Sequence, residues 1–294
     1  MRVVVAIAER GSLTAAAHQL DISLPSVVRV LADAERRLAV RLFDRTTRRL
    51  NITEEGAIYV ETCRRVLNEI ADVEEALGDR RVEAQGTLAI TAPVLFGRMH
   101  VVPLLNDFLH THPRISARVV LLDRVVDLIE EGIDVAVRIG EVSEPGVIAI
   151  PIGQVRRCLC AAPALIERFP AIDTAEVLAD VPFIQHSGLM QSHELKLPPK
   201  AHKRPIALKN IRVTTNQGDA AIAACRAALG VGLFLSYQVA DLLKEGELVK
   251  VLPAIEFDSV PISLIYLPTR RLSARTRVFL AWAKEALTSR LAAI

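Results

Sequence analysis

Between Thr53 and about Arg81 the chain has no proline and only two glycines, Gly56 near its start and Gly78 near its end. Across that stretch Tyr59, Cys63, Val66, Ile70, Val73 and Leu77 recur at alternating steps of four and three residues. This repeat specifies a long helix with one apolar seam. A seam on an isolated helix needs a partner: the same helix of a second subunit, or the chain's own C-terminal domain. The rod divides the chain into a head (1–53), a connector (54–85) and a body (86–294).

Charge follows the same division. Residues 1–53 hold nine arginines, no lysine and five acids, a net +4, while residues 54–85 hold four arginines and nine acids, a net −5. The whole chain of 294 residues is nearly balanced at +2. A small basic head on a balanced chain is the footprint of a nucleic-acid-binding module, although charge alone fits a solvated surface equally well. With 51 % hydrophobic and 4 % aromatic residues, the cores must be filled by aliphatic side chains. Four cysteines in a chain of this length are no disulfide scaffold.

Within the head, Ser12 is placed to cap a helix over Leu13 to Leu20, and Asp21-Ile22 reads as a turn. Ser23 caps a second helix with Pro25 in its first turn, where a missing N–H costs nothing. Val27, Leu31, Ala34 and Leu38 form its buried stripe, leaving Ser26, Arg29 and Arg36 largely off that face. Two short helices joined by a tight turn suit insertion into a major groove. Arg41–Arg45 and Arg49–Thr53 then flank the polar tip Thr46-Thr47-Arg48, which reads as a β-ribbon, or wing. Its arginines suit phosphates or a narrow minor groove.

Three spaced motifs now carry a resemblance: Gly11-Ser12-Leu13-Thr14-Ala15-Ala16-Ala17, Leu38-Ala39-Val40-Arg41-Leu42-Phe43-Asp44-Arg45-Thr46-Thr47-Arg48 and Leu50-Asn51-Ile52-Thr53-Glu54-Glu55-Gly56. Together they resemble the head of a LysR-type transcriptional regulator. The resemblance implies a winged helix-turn-helix, a linker helix that dimerises and often pairs dimers into tetramers, and a two-lobed regulatory domain. It also implies promoter DNA, a small-molecule effector, a second copy of the chain and RNA polymerase as partners. DNA contacts carried over are Thr14, Leu24, Pro25, Ser26, Val28, Arg29, Arg48 and Arg49. Family members usually extend a few residues before the position of Met1, and they usually have glutamine at position 24 and often serine at 28. Glutamine reads adenine edges, whereas Leu24 and Val28 make only apolar contacts, for instance with thymine methyls.

The body alternates strands (Thr87–Thr91, Arg118–Leu122, Val135–Ile139, Cys158–Ala161) with helices (Val101–His112, Val125–Glu131, Pro163–Phe169). A second set follows: strands at Pro182–Ile184, Ile211–Thr214 and Val231–Leu235, a helix at Gly218–Leu229, a late strand at Ile262–Leu267 and a closing helix at Ala274–Leu291. Alternation predicts a mostly parallel sheet covered by helices, an α + α/β chain overall. The resemblance implies the fold of a type II periplasmic binding protein, with crossings near Ala161 and Ile265. One lobe is then 86–161 plus 266–294 and the other 162–265. Ligands in such sheets sit beyond the carboxyl ends of strands. That favours Thr91, Pro93, Leu95, Phe96 and Gly97 in one lobe, Thr215 and Gln217 in the other, and Arg138, together suited to an anion.

Other chemistries lack a constellation. Cys158-Leu159-Cys160 has no partner pair at zinc-site spacing and reads as strand core; His110 and His112 read as helix-end residues. His186-Ser187-Gly188 lacks a nucleophile-elbow frame, and Gly230-Val231-Gly232 is too short for a dinucleotide loop. No cofactor or metal is expected, and an α/β enzyme has no residues to act through. The apolar run Val3–Ala8 stops at Glu9-Arg10, short of a signal core, so the chain is expected in the cytoplasm without a membrane segment. A solute-binding protein would share the lobes, but the head and the short apolar run oppose it.

Overall fold

The apolar run at the start of the chain forms helix α1 (Arg2–Arg10), which ends at Gly11 in the left-handed region at φ 62°. The structure is a computed structural model that describes the chain except residues 46–49, 78–83, 170–171, 173, 269–271 and 293–294. It divides into two units, Met1–Gly86 and Thr87–Ile294.

In the first unit, α2 (Leu13–Leu20) begins at Ser12, whose Oγ accepts the Ala15 amide at 3.4 Å. Helix α3 (Leu24–Leu38) begins at Ser23, whose Oγ accepts the Ser26 amide at 3.3 Å, with Pro25 in the first turn. Strands β1 (Phe43–Arg45) and β2 (Leu50–Ile52) pair antiparallel, and α4 (Glu54–Leu77) follows. The Glu35 carboxylate accepts the amides of Leu42 at 2.8 Å and Phe43 at 3.3 Å, fixing the ribbon to α3. Val4, Ile7, Ala16, Val27, Leu31 and Leu42 form a core that also takes in Val60 of α4. The head's core therefore extends beyond residue 53 into the connector.

That extension revises the seam. Cys63 is 2 % exposed and Tyr59 packs on the head core, so both face their own chain. Val66 is half-buried and Ile70 is exposed; Val73 and Leu77 lie on α4, with side chains outside the described set.

The second unit opens with β3 (Gly86–Ala92), the single turn α5 (Val94–Phe96), a π-helical stretch over Gly97–Val101, and α6 (Val102–Thr111). Strands β4 (Ile115–Leu121), β5 (Val135–Ile139) and β6 (Ile148–Ala161) lead to α7 (Pro163–Arg168) and a 3-10 turn at Glu176–Ala179. Strand β7 (Phe183–His186), the pair β8 (Glu194–Leu195) and β9 (Ile206–Ala207), β10 (Ile211–Thr215) and α8 (Gly218–Arg226) come next. The unit ends with β11 (Val231–Leu235), α9 (Ser236–Lys244), β12 (Val249–Val251), β13 (Ser259–Tyr266) and α10 (Ala274–Leu291).

The strands run in the order β10-β7-β11-β6-β13-β5-β3-β4, with β12 beside β6. Pairs β3/β5, β7/β10 and β7/β11 are parallel, but β13 is antiparallel to β5 and β6, and β6 is antiparallel to β11. The sheet is mixed rather than mostly parallel. Strand β6 joins the lobes: residues up to Arg156 pair with β13, and Arg157–Cys160 pair with β11. Ala161 and Ile265, the expected crossings, sit instead at the far ends, opposite Val249 and Ala136. An apolar alternation shows a strand but not where it changes partner.

Neighbouring residues of one strand fill separate cores. Leu159, Phe183 and Leu233 pack on one side of the second lobe, and Cys160, Ile184 and Phe234 on the other. Successive side chains point to opposite faces, and both are covered, so these strands read as continuous apolar runs. The helix expected over Val125–Glu131 is absent and the segment is a turn. Asp127 Oδ1 accepts the amides of Ile129 and Glu130, a local bond that competes with helix, and Gly132 closes the turn at φ 57°.

Candidate functional site

Two surfaces need an account: the outer face of α3, and a cleft between the lobes of the second unit. On α3, Leu24, Pro25 and Arg29 are exposed, and Ser26 and Val28 are half-buried on the same helix. Ser26 Oγ lies 2.8 Å from Ser23 Oγ, so the capping serine also orients it. Among the arginines here, Arg36 pairs with Asp33 at 2.8 Å and Arg37 donates to the Tyr59 hydroxyl at 3.3 Å. Arg29 has no ion pair among the described residues and projects into solvent. Thr14 of α2 is exposed and borders one shallow depression with Leu24. Arg48 and Arg49 lie outside the described residues.

The cleft has a volume of about 300 Å³, at the lower end of small-molecule sites. Thr91, Pro93, Leu95 and Arg138 line it from the first lobe; His186, Gly218 and Tyr237 face them from the second. Four expected contacts are elsewhere. Phe96 is buried, and Gly97 packs so closely that a Cβ there would lie 2.3 Å from Leu121 Cδ2. Thr215 Oγ1 accepts the Gln217 amide at 3.1 Å, a local turn bond, and neither residue borders the cleft.

The first-lobe donors are largely engaged. Thr91 donates its hydroxyl proton to the Val120 carbonyl at 2.7 Å, and Arg138 pairs with Glu144 at 2.9 Å. Pro93 has no N–H, and the Val94 amide donates to Asp123 Oδ1 at 2.9 Å. Asp123 itself lines the cleft. The two lobes also meet through Arg98 and Asp219, 2.7 Å apart, and through a ring cluster. His100 lies 4.8 Å from Phe96 and 5.5 Å from Tyr237, centroid to centroid. Burial, reinforced by Arg290, lowers His100 to about 4. Burial also lowers His186, against smaller opposing pulls from Asp123 and from a hydrogen bond with the Asn216 backbone, and raises the Tyr237 hydroxyl, which stays protonated.

Sequence reasoning missed Asp123, His186, Tyr237 and Gln238 as cleft residues. Only His186 gave a signal, as part of a rejected nucleophile motif. Cys158 and Cys160 share a face of β6 with sulfurs 3.7 Å apart, and Cys225 Sγ lies 3.3 Å from the Cys160 carbonyl. No cluster of histidine, cysteine and acids among the described residues has metal-site geometry, and no described helix is long and apolar enough to cross a membrane.

Residues 1–57 match the bacterial regulatory helix-turn-helix protein, lysR family, and residues 81–288 match the LysR substrate binding domain. The chain belongs to the LysR family of transcriptional regulators. An HTH-type transcriptional repressor of Pseudomonas aeruginosa is 30 % identical over 97 % of this chain and 90 % of its own length. The regulator DmlR of Escherichia coli is 30 % identical over 97 % and 92 %. Among solved structures, CrgA, a LysR-type regulator from Neisseria meningitidis, superposes with a TM-score of 0.63 at 27 % identity and 97 % coverage of both chains. Full-length AphB of Vibrio cholerae shares the fold, with a TM-score of 0.63 at 23 % identity. This LysR-family chain is thus a DNA-binding regulator with an effector-binding domain, and its relatives are regulators rather than enzymes.

Proposed function

We propose that this LysR-type regulator binds promoter DNA as a dimer, or a pair of dimers, and that an effector in the inter-lobe cleft alters that binding. The observation that carries the reading is α3: a capped helix, buried on Val27 and Leu31, that presents the exposed Arg29 beside Ser26 on its outer face. In this reading α3 enters the major groove. Thr14, Pro25 and Ser26 approach the backbone, Arg29 a base edge or phosphate, and Leu24 and Val28 thymine methyls. The wing arginines Arg48 and Arg49 reach phosphates beside it.

The dimer seam in this reading is shifted around α4. Ile58, 66 % exposed, Val66 and Ile70, 45 % exposed, recur at multiples of four, while Cys63 turns inward. A second α4 covers that stripe. An effector walled by Thr91, Pro93, Leu95 and Arg138 then favours one arrangement of the lobes, which requires different affinity in the two states. RNA polymerase is the partner through which altered promoter binding changes transcription.

A gel-shift assay on the chain's own upstream region tests the reading. Arg29→Ala is expected to abolish specific binding and leave ligand binding in the cleft intact. Loss of both would overturn the partition into reader and sensor.

A further inference from the structure

We propose that Cys158 is a modification site: its thiol, paired with that of Cys160 in a cation-lined groove of the second lobe, exchanges with small anionic disulfides of the oxidised-glutathione type and keeps one half as a mixed disulfide. The groove shares only Arg157 with the inter-lobe cleft, so the inference does not depend on where an effector sits.

The register of the sheet builds the site. Alternate side chains of a strand share a face, so Cys158 and Cys160 of β6 point the same way. Cys160 stands opposite Lys250 of β12 on one side and opposite Gly232 of β11 on the other. Residues opposite one another in an antiparallel pair project to the same face, which sets the Lys250 side chain alongside the thiols. Cys160 is fully buried in a core with Val239 of α9, whereas Cys158 is half-buried and lines a groove of about 670 Å³ between β6, α9 and β12. Cys63 and Cys225 are buried as well. Of the four cysteines, all of them among the described residues, Cys158 is the one open to a reagent in the folded chain.

Two features make this thiol a nucleophile rather than an inert core group. The first is the Cys160 thiol, which donates to Cys158 Sγ at 3.7 Å. That bond, helped by the Lys250 charge, holds the Cys158 thiol below the usual cysteine range against the opposing effect of burial. The same bond and burial push the Cys160 thiol up, so it remains protonated. The second is the charge facing the groove: Arg156 and Arg157 from β6, Lys244 from α9 and Lys250 from β12, all exposed, against one acid, Glu256. That surplus favours the thiolate and draws in a disulfide that carries carboxylates.

The exchange balances without a further reactant. Cys158 gives its proton to water, and the thiolate attacks one sulfur of the bound disulfide. A new S–S bond forms as the old one breaks, and the other half leaves as a thiolate that takes up a proton. Cys158 is oxidised and the small disulfide is reduced. Cys160 does not displace the retained half. Two residues apart on an extended strand, the Cα atoms are about 6.6 Å from each other and their Cβ bonds run parallel. A disulfide needs the Cβ atoms within about 4 Å, so closing one between Cys158 and Cys160 would require the strand to buckle.

Intact-mass spectrometry with peptide mapping, on the reduced full chain under native conditions, tests this. The probes are oxidised glutathione and cystamine, a disulfide that carries amines instead of carboxylates, each rate being divided by that of the same probe with free cysteine. Oxidised glutathione is expected to add one half-molecule, on Cys158, several-fold faster than cystamine on this scale. Its rate should rise with pH to a plateau whose midpoint lies below the value of about 8.5 for an ordinary cysteine. Cys158→Ser should abolish the adduct. Cys160→Ala should keep the adduct and raise the midpoint, and Lys250→Gln should raise the midpoint and narrow the preference for the anionic probe, with the fold of each variant checked by thermal unfolding. The proposal is overturned by no adduct, by first addition at Cys63, Cys160 or Cys225, or by equal normalised rates for the two probes. A midpoint at or above that of free cysteine, or a product that has lost two hydrogens without gaining the half-molecule, overturns it too.

Discussion

Replacing Gly56 by alanine sets two physical effects of opposite sign against each other. Gly56 lies in the first turn of α4, and helix propensity alone predicts that alanine stabilises the head by about 1 kcal/mol. The surroundings say otherwise. A Cβ at Gly56 would lie 2.0 Å from the Leu42 carbonyl oxygen and 2.8 Å from its carbon, both backbone atoms. Ordinary contact requires Leu42 to retreat by more than about 1 Å in an interior packed as densely as a crystal. Leu42 is poorly placed to move. It is fully buried, its amide is held by Glu35 at 2.8 Å, and its carbonyl accepts the Thr53 amide at 3.1 Å. Thr53 in turn accepts the Gly56 amide at 2.9 Å and donates to the Arg41 carbonyl at 2.7 Å. Overpacking costs about 1–3 kcal/mol and a lost hydrogen bond about 1 kcal/mol, so the clash outweighs propensity by about 2 kcal/mol. For a unit of this size that lowers the unfolding temperature of the head by about 10 °C. Scanning calorimetry of Gly56→Ala beside the unchanged chain reads the shift directly. An unchanged or raised transition would show that the ribbon-to-α4 junction relaxes freely and would refute the packing argument.

Other outcomes follow from the same geometry. Ile58→Glu or Ile70→Glu places charge in the exposed α4 stripe and should convert the chain to a monomer by light scattering without unfolding it; a dimer that survives both removes α4 as the interface. His100 has a folded-state value of about 4 against 6.5 unfolded, so the unfolded chain binds more protons between those values. Stability of the second unit is full above about pH 6.5 and falls by about 3 kcal/mol as pH drops to about 4; His100→Phe should flatten that limb in acid titrations followed by circular dichroism. Arg98 and Asp219 are half-exposed, so Arg98→Ala should cost less than about 1 kcal/mol in stability. A shift of several kilocalories in denaturant unfolding would mean the pair does more than link two surfaces.

Elements with a local signature were legible from sequence. Ser12 and Ser23 cap the helices they were expected to cap, and Val135–Ile139, Val231–Leu235 and Ala274–Leu291 form with the expected bounds. Each is decided by neighbours within a few residues: a hydroxyl three positions from an amide, or an aliphatic run closed by a glycine. Val125–Glu131 failed at the same scale, because Asp127 offers its own backbone a bond that helix periodicity does not register. The long strands failed for a different reason. Only Cys158–Ala161 of β6 and Ile262–Leu267 near β13 were legible, whereas the strands run over Ile148–Ala161 and Ser259–Tyr266, and the residue where β6 exchanges β13 for β11 is set by partners far along the chain.

The seam and the cleft show why function is harder to read than fold. Spacing puts Tyr59, Cys63, Val66 and Ile70 on one broad helix face, yet α4 is covered on part of that face by the head, so Cys63 is buried and Ile70 is not. A periodic pattern reports that a surface is apolar; what covers it is a tertiary matter. The same holds for donors. The loop Thr91-Ala92-Pro93-Val94 has the composition of an anion seat, and Asp123, 29 residues beyond Val94, takes its amide. His186 carries no such signature, yet it lies buried in the wall of the cleft. A ligand fits where hydrogen-bonding capacity is left over after folding, and that remainder emerges only when every internal partner has been assigned.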